Sequence, residues 1–332
     1  MEQVILTRPG HFSSRSVAEP KVLENEALVK MERIGVCGSD FHAFSGKHPA
    51  YVYPRVLGHE CACTVLTAPK NVFGIKVGDR CAIDPYVNCG TCSMCLAGRT
   101  NCCERLEVLG IHRDGGMQEF LAVPLRLLYP SQTLSHEELA LIETLGIGAH
   151  AVARSEIREG EPALVVGAGP IGLATALFAK VAKADVILAE INAERRDFAA
   201  RLGFNTIGAA GNIQSAVVYD ATGNPKVMAS SLKHVAQGGR LVFVGLTSDP
   251  VALDDSLFHR KEASLYSSRN SAGQFRRIIQ LLEGGKISVK EWITNRLSLL
   301  EVPDRFSNLP NHPGLIKAIV DVPQSTAETG RG

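Results

Sequence analysis

A glycine-rich turn between a strand-like run and a helix-like run constrains the fold of this chain more than any other feature. The segment ALVVGAGPIGLATALFAK holds Gly167, Gly169 and Gly172 in the pattern G-x-G-x-x-G, and Pro170 and Ile171 open the helical run. The first glycine allows a tight turn, the second lets a pyrophosphate approach, and the third lets the helix pack on the strand. The phosphates then face the helix N-terminus. The segment therefore predicts a parallel, doubly wound sheet that binds a dinucleotide.

An acidic residue follows at the end of the next apolar run. Glu190 closes ADVILAE, where an acid binds the adenosine ribose hydroxyls and repels a 2′-phosphate. We therefore expect NAD as the cofactor rather than NADP. Arg195 and Arg196 oppose this preference if they reach the 2′ position, and otherwise form the charged, solvated start of a helix.

Four cysteines stand close together upstream of the glycine turn. Cys89, Cys92, Cys95 and Cys103 follow the pattern C-x2-C-x2-C-x7-C, in a loop rich in Gly, Asn, Thr and Ser. Such a loop has no apolar stripe to bury free thiols, and four thiolates at this spacing can surround one Zn²⁺. The odd cysteine count and the lack of a signal peptide favour the cytoplasm, where disulfides are rare. We expect a closed, structural zinc site.

A second set of candidate ligands precedes the cysteine loop. GVCGSDFH supplies Cys37, and LGHE supplies His59 and Glu60. A cysteine and a histidine from separate loops are typical of an open, catalytic zinc site, although each alone is more often an ordinary buried residue. Glu143 stands in the apolar stretch LALIETLGIGA, where a metal would stabilise its charge; the alternative is a glutamate on a helix surface.

Composition excludes several classes of function. The chain has 35 Lys and Arg against 34 Asp and Glu and no basic block, so we expect no nucleic-acid partner. There is no apolar run of about 18 residues, so we expect no membrane span. The length of 332 residues is enough for about two domains.

The order of the runs suggests how these domains are arranged. Residues 1–147 carry short strand-like runs with Gly and Pro turns, which indicates a β-rich domain, whereas 148–287 alternates strands with helices. The run LIKAIVDV is predicted to return to the first domain, so 288–332 joins it. The substrate is expected in the cleft between domains. The final QSTAETGRG is predicted to be a frayed polar tail.

Several motifs together resemble a known family. GVCGSDFH, VLGHE, the four-cysteine loop, GAGPIG and DATG are similar, in content and order, to the zinc-dependent medium-chain dehydrogenase/reductases over residues 1–322. YPRVLGHE, VLGIHRDGG and SSRNSAGQF resemble its polyol and sugar-acid 5-dehydrogenases. The resemblance implies an α/β protein with a GroES-like catalytic domain and a Rossmann NAD-binding domain.

The resemblance also implies an activity. It indicates an oxidoreductase that transfers a hydride between a secondary alcohol of a polyol or sugar acid and NAD, with two zinc ions per chain. The alternatives are an alcohol or threonine dehydrogenase of the same family, or a non-catalytic relative that binds zinc or nucleotide. A homodimer or homotetramer is implied, and we expect the run GRLVFVGL to expose the sheet edge through which chains pair.

The resemblance assigns roles near the catalytic metal. It implies that Cys37 and His59 bind zinc, with Glu60 and Glu143 as direct or adjacent ligands. Asp40 would orient His59 by accepting a hydrogen bond from its imidazole.

It also assigns roles toward substrate and cofactor. Ser39 would contact the substrate hydroxyl and His42 would pass the proton to solvent, with Glu60 also taken as catalytic. The other implied contacts are Gly245, Leu246, Arg269 and Asn270 for the cofactor, and His112, Arg113 and Arg269 for the substrate. For His112 and Arg113 an ordinary surface turn is the alternative.

Two departures from the family pattern stand out. Cys63 occupies a position where a glycine is common, and we expect Cys61 and Cys63 to be buried thiols rather than ligands. The segment between Gly203 and Tyr219 is about ten residues shorter than the family pattern, so we expect a loop in place of one crossover helix.

Overall fold

The computed structural model describes residues 1–323, and the polar tail predicted for the last residues lies outside this range. The strands are β1 (Glu2–Arg8), β2 (His11–Ser16), β3 (Glu26–Val36), β4 (Glu60–Thr67), β5 (Arg80–Ile83), β6 (Tyr86–Val87), β7 (Glu107–Val108), β8 (Phe120–Pro124), β9 (Leu128–Ser131), β10 (Pro162–Val166), β11 (Asp185–Ala189), β12 (Asn205–Ile207), β13 (Ser215–Asp220), β14 (Val235–Phe243), β15 (Ser264–Ser267), β16 (Ile293–Ser298) and β17 (Lys317–Asp321).

Most of the helices flank the strands of the second half of the chain. They are α1 (Gly38–Phe44), α2 (Ser93–Leu96), α3 (His136–Ala140), α4 (Ile142–Ser155), α5 (Pro170–Val181), α6 (Ala193–Arg201), α7 (Pro225–Ser231), α8 (Asp255–Arg260), α9 (Phe275–Glu283) and α10 (Val302–Arg305). None of the helices within residues 1–323 is long and apolar enough to cross a membrane.

A seven-stranded, mainly antiparallel sheet carries the first group of candidate ligands. Its order is β16-β17-β3-β4-β5-β9, and β8 also pairs with β3. Strand β17 runs antiparallel to β3, with Ala318 opposite Val36 and Asp321 opposite Arg33. The C-terminal run therefore returns to the N-terminal sheet, as the sequence predicted, and it brings Lys317 beside the start of the Cys37 loop.

The second sheet has six parallel strands in the order β12-β11-β10-β13-β14-β15. Its central strands β10 and β13 are largely buried and apolar, as is usual when helices cover both sides of a parallel sheet. The chain reverses its direction of travel between β10 and β13, so their carboxyl ends border a crevice of the kind that binds ligands in doubly wound sheets.

Helix α4 joins the two halves of the molecule. Gly148 lies against α5 so closely that an added Cβ would be 2.4 Å from the carbonyl carbon of Ala174. This contact requires a glycine, and it fixes the helix whose first turn carries Glu143. Helix α4 continues across the predicted domain boundary between residues 147 and 148 without a break. The domain boundaries therefore stay a prediction.

Two expectations about the parallel sheet had different outcomes. The segment 208–214, between β12 and β13, contains no helix, which confirms the shortened crossover. The expectation that GRLVFVGL exposes a sheet edge is wrong, because β14 pairs with both β13 and β15. The short strand β15 forms the edge of the described sheet instead.

Candidate metal centre and cofactor cleft

Three potential metal ligands meet where α1 and β4 begin. Cys37 is the N-cap residue of α1, and His59 and Glu60 stand at the start of β4. One ligand atom from each of the three lies within 4.8 Å of the other two. Cys37 and the pair His59–Glu60 lie in different segments of the chain. The structure brings their donor atoms together in one small pocket.

Asp40 lies beneath this group. Its Oδ2 accepts a hydrogen bond from the Cys37 backbone N–H at 2.9 Å, and its Oδ1 is 3.8 Å from Nδ1 of His59. Both Oδ1 of Asp40 and Nδ1 of His59 are buried and have no hydrogen-bond partner within the described part of the chain. Asp40 therefore faces His59 as expected, at a separation slightly too long for a hydrogen bond.

Glu60 has a partner that sequence reasoning did not identify. The Lys317 ammonium lies 2.6 Å from both Glu60 carboxylate oxygens, and Thr144 donates a hydrogen bond to Glu60 at 2.9 Å. Burial alone would raise the pKa of Glu60, but Lys317 and His59 lower it below its usual value. The available signal was the single lysine within the apolar run LIKAIVDV.

Glu143 lies in the first turn of α4, only 4% exposed, and outside the group formed by Cys37, His59 and Glu60 among the described residues. The hydroxyl of Tyr86 donates a hydrogen bond to its carboxylate. Burial raises the pKa of Glu143, and the nearby His59 partly opposes this rise. Glu143 is therefore a buried carboxylate near the pocket. This burial excludes the alternative of a glutamate on a helix surface.

These donors fit a divalent cation. Asp40, Glu60 and Glu143 are buried carboxyl groups around a cysteine, and Lys317 compensates only Glu60 directly. Buried charges without partners are costly, and cysteine, histidine and carboxylate are the donors that zinc prefers. Nδ1 of His59 faces Asp40, so a metal at this site would bind the other ring nitrogen, Nε2.

The four cysteines of the downstream loop form a separate cluster. Their sulfur atoms lie within 4.8 Å of one another, and backbone N–H groups of Thr91 and Cys92 donate to the Cys89 sulfur at 3.5 and 3.3 Å. The Thr91 N–H, followed by that of Cys92, lowers the pKa of Cys89 to about 5. Such N–H groups stabilise thiolates, so this cluster is prepared to bind a cation in a closed, four-sulfur shell.

Three buried cysteines of the antiparallel sheet lie outside both clusters. Burial raises the pKa of Cys61 and Cys63 on β4, and it raises the pKa of Cys81 on β5 to about 12. The expectation that Cys61 and Cys63 are core thiols is confirmed by their burial.

The glycine turn has the close contacts that its pattern requires. Gly167 has φ of +96°, and a Cβ on Gly172 would lie 1.8 Å from the Gly167 carbonyl oxygen. Gly169 is the N-cap of α5, Pro170 is its first residue, and a Cβ on Gly169 would meet nothing within 4 Å. The turn therefore packs tightly on the protein side and leaves room on the other side for a phosphate.

A cavity of about 430 Å³ extends from this turn past the end of β11. Glu190 lines it, is 8% exposed, and accepts hydrogen bonds from the backbone N–H groups of Ala168 at 2.7 Å and Asn192 at 2.8 Å. Arg195 also lines the cavity, whereas Arg196 donates to the Glu190 carbonyl at 3.1 Å. The short 208–214 segment leaves Ser230 and His234 on the far wall, which the sequence did not predict.

The other candidate residues differ in their exposure and in their hydrogen bonds. The Ser39 hydroxyl is buried and has no hydrogen-bond partner among residues 1–323, while His42 is exposed near the end of α1. His112 is exposed, and its Nδ1 accepts the Val108 N–H at 3.1 Å. Arg113 pairs with the exposed Glu107, which supports the surface-turn alternative for Arg113.

The segments after β14 and β15 lie at the carboxyl ends of the sheet. A Cβ on Gly245 would lie 2.3 Å from the Gly223 nitrogen, and Leu246 is 84% exposed. The Arg269 carbonyl accepts a hydrogen bond from Asn101 at 3.0 Å, and Asn270 has φ of +58°. These residues follow the carboxyl ends of β14 and β15, and their role in cofactor binding stays a prediction.

A doubly wound dinucleotide-binding sheet joined to a sheet that carries cysteine, histidine and glutamate donors defines a zinc-binding dehydrogenase. Comparison with protein families agrees: residues 23–133 match the alcohol dehydrogenase GroES-like domain, and residues 170–284 match the zinc-binding dehydrogenase model. The chain belongs to the zinc-dependent medium-chain dehydrogenase/reductase family and is an oxidoreductase. The predicted fold class is thereby confirmed.

Individual relatives cover almost the whole chain. An L-galactonate-5-dehydrogenase from Escherichia coli K12 is 38% identical over 335 residues, which is 96% of this chain and 98% of the relative. A zinc-binding dehydrogenase from Sinorhizobium meliloti 1021 bound to NADP superposes with a TM-score of 0.90 at 32% identity, covering 96% of this chain and 98% of that one. A protein from E. coli CFT073 described as a short chain alcohol dehydrogenase, complexed with NADH, superposes with a TM-score of 0.91 at 29% identity. The match covers 97% of this chain and 99% of that one.

Proposed function

We propose that this dehydrogenase oxidises a secondary alcohol of a polyol or sugar acid and transfers the hydride to NAD. The observation that carries the proposal is the group formed by buried His59 and Glu60 and by half-buried Cys37, two residues before a Ser39 hydroxyl that has no hydrogen-bond partner within residues 1–323. The relative named as an L-galactonate-5-dehydrogenase supports a sugar acid as the substrate.

In this proposal Cys37 and His59 hold the catalytic zinc, with a carboxylate from Glu60 or Glu143. Zinc bound there would supply a Lewis acid that stabilises negative charge on the substrate oxygen. Lys317 restrains Glu60 and Tyr86 restrains Glu143, so each carboxylate has its own partner that fixes its distance from the pocket. Asp40 orients the imidazole of His59, which leaves Nε2 for the metal.

Ser39 and His42 carry the substrate proton. The Ser39 hydroxyl is buried two residues after Cys37, so in this proposal it accepts the proton of the substrate hydroxyl while it releases its own proton toward His42. His42 lies one turn further along α1 and is exposed, which suits transfer of that proton to solvent. Such acid–base assistance typically contributes about 10²–10⁴-fold in rate.

The cofactor occupies the crevice of the parallel sheet. Gly167 and Gly172 let the turn pack closely, and Gly169 leaves space for the pyrophosphate at the start of α5; a bound nicotinamide would accept the hydride. The Glu190 carboxylate is fixed by two backbone N–H groups and retains acceptor capacity for the ribose hydroxyls. This arrangement favours NAD, although Arg195 lines the same cavity and the named structures bind NADP or NADH.

We further propose that the four-cysteine cluster binds a second, structural zinc. The two domains would be residues 1–147 together with 288–332, and residues 148–287. The protein would form a homodimer or a homotetramer. The unpaired side of β15 supports pairing between parallel sheets. The nine free cysteines support the cytoplasm as the location.

The direct test is NADH formation at 340 nm with a panel of polyols and sugar acids, before and after treatment with a chelator. The proposal expects oxidation of at least one polyhydroxylated substrate with NAD, lost on removal of zinc and restored by adding it. Oxidation of simple alcohols or threonine alone, or activity that survives complete removal of zinc, would contradict it.

A further inference from the structure

The turn that leads into the last cysteine of the four-cysteine cluster contacts a segment of the parallel sheet far away in sequence. Thr100–Cys102 forms a short 3-10 turn directly before Cys103. Within this turn Asn101 is only 9% exposed, and its side-chain amide donates a hydrogen bond to the Arg269 carbonyl at 3.0 Å. Arg269 lies 168 residues away, shortly after β15. None of the assignments made above uses Asn101.

The Asn101 amide has a second neighbour. Its Nδ2 lies 3.5 Å from Nε2 of His150 on α4, which is a longer and weaker contact. Burial lowers the pKa of His150, so the imidazole is uncharged at neutral pH and Nε2 can accept a hydrogen bond when Nδ1 carries the proton. The side chain of Asn101 therefore connects the cysteine loop both with α4 and with the segment after β15.

The segment that accepts this hydrogen bond, residues 268–273, has a strained backbone. Asn270 and Ala272 have φ of +58° and +42°, in the left-handed region that residues other than glycine seldom adopt. Such conformations persist only where the surroundings impose them, and they cluster at sites that hold ligands. An added Cβ on Gly146 of α4 would lie 2.6 Å from Cβ of the buried Ser271. The segment is thus restrained at two points, by α4 and by Asn101.

The position of this segment relates it to the cofactor. It follows the carboxyl end of β15, and the glycine turn follows the carboxyl end of β10 in the same parallel sheet. In doubly wound sheets, ligands bind at this end of the strands. A segment that is already fixed in the conformation that binds a ligand loses less conformational entropy on binding, so affinity increases. A contact that fixes residues 268–273 should therefore strengthen cofactor binding.

We propose that Asn101 is a positioning residue that couples the four-cysteine cluster to the cofactor. A cluster filled with zinc fixes the turn of Asn101, this turn fixes residues 268–273, and NADH binds more tightly as a result. The inference rests on the proposed function, because it takes zinc to fill the cluster and NADH to fill the crevice. Coupling between two sites is reciprocal, so NADH in turn strengthens zinc binding by the cluster.

The first measurement is the Kd for NADH, obtained from NADH fluorescence with the zinc-loaded protein and no substrate. Asn101→Ala should raise this Kd by about fivefold or more, the lower end of typical couplings, and keep the zinc content of the wild type. Thr100→Ala is the matched control. Thr100 lies in the same turn, and its backbone carbonyl, which accepts from the Cys103 N–H at 3.1 Å, is retained in alanine. The control should leave the Kd unchanged.

The second measurement tests the reciprocal effect at the cluster alone. Cys37→Ser removes a ligand of the other metal group, so the zinc that remains reports on the four cysteines. Competition with a chelator of known zinc affinity should show that saturating NADH strengthens zinc binding by about fivefold or more. Adding Asn101→Ala to this variant should abolish the effect of NADH, whereas adding Thr100→Ala should preserve it.

An unchanged Kd for NADH in Asn101→Ala, or the same increase in Thr100→Ala, would overturn the inference. Equal zinc affinity with and without NADH in Cys37→Ser would also overturn it, and this result needs no change at Asn101 that might impair folding. Failure of the proposed function is distinguishable. A cluster that binds no zinc, or a chain that binds no NADH, would refute both proposals, whereas zinc and NADH that bind without influencing each other would refute the coupling alone.

Discussion

The ammonium group of Lys317 lies 2.6 Å from both carboxylate oxygens of Glu60, although 257 residues separate them in sequence. Lys317 opens β17, and Glu60 opens β4, on either side of β3. Both side chains are at most 2% exposed, so each charge depends on the other for compensation. The last strand of the chain thereby holds one of the candidate metal ligands.

Lys317→Met should destabilise the protein strongly. Removing one partner of a buried ion pair leaves the other charge uncompensated, at a cost of about 3–5 kcal/mol in the free energy of unfolding. The loss should be smaller with zinc bound, since the cation compensates Glu60. Urea unfolding with and without zinc measures both values. Lys183→Met is the control, because Lys183 pairs with Glu159 on the surface and its loss should cost less than about 1 kcal/mol. Equal effects of the two variants would contradict the prediction.

The two cysteine sites should respond differently to substitution. Cys95→Ser opens the four-sulfur cluster, so we expect poor folding, low solubility and the loss of one zinc per chain. Cys37→Ser should abolish turnover and leave the fold largely intact, because Cys37 belongs to the pocket of His59 and Glu60. Zinc analysis, circular dichroism and activity separate these results. Well under one zinc per chain in folded wild type would refute the assignment of both sites.

Short motifs allowed much of this structure to be predicted. The glycine turn and the cysteine loop are each contained in fewer than twenty residues, so their spacing alone determines the contacts. The partners of the buried carboxylates are different, because Lys317 and Tyr86 reach Glu60 and Glu143 only through strand pairing and helix packing. No local pattern encodes those distances.

The sheet edge was missed for a related reason. Strand β15 is the short segment SLYS, which has little apolar character and follows α8, so GRLVFVGL looked like the last strand. Only the hydrogen-bonded register between β14 and β15 shows that a further strand is present.

Cofactor preference should depend on Glu190. Glu190→Ser removes the negative charge that repels a 2′-phosphate and leaves Arg195 in the same cavity. The ratio of kcat/KM for NAD to that for NADP should therefore fall, by roughly tenfold or more if one charge-assisted contact is exchanged. Steady-state kinetics with both cofactors measures the ratio. A wild type that already uses NADP with the higher kcat/KM would show that the Glu190 assignment is wrong.

Asp84→Asn should change how stability depends on pH. Burial raises the pKa of Asp84 to about 7, above the value of about 3.9 typical of an unfolded chain. The folded protein thus binds this proton more tightly, and the contribution of Asp84 to stability falls as pH rises from about 4 to about 7. In the asparagine variant this decrease in stability with pH is absent, and the side-chain amide oxygen can still accept the hydrogen bond from the Tyr86 backbone N–H. Relative to wild type, it should gain at least about 1 kcal/mol in the free energy of unfolding between pH 5 and pH 8. Parallel pH profiles in urea unfolding would refute this.

Ser39 and His42 should affect proton transfer without affecting metal binding. Ser39→Ala removes the buried hydroxyl proposed to accept the substrate proton, so most activity should be lost, by about 10²-fold or more. His42→Ala should cost less, because water can replace an exposed side chain at the solvent end of the relay. It should also make alcohol oxidation more dependent on pH and on the concentration of buffer base. Both variants should retain the zinc content of the wild type. An unchanged kcat and pH profile in His42→Ala, with zinc retained, would mean that His42 only packs in the turn after Asp40 and takes no part in the reaction.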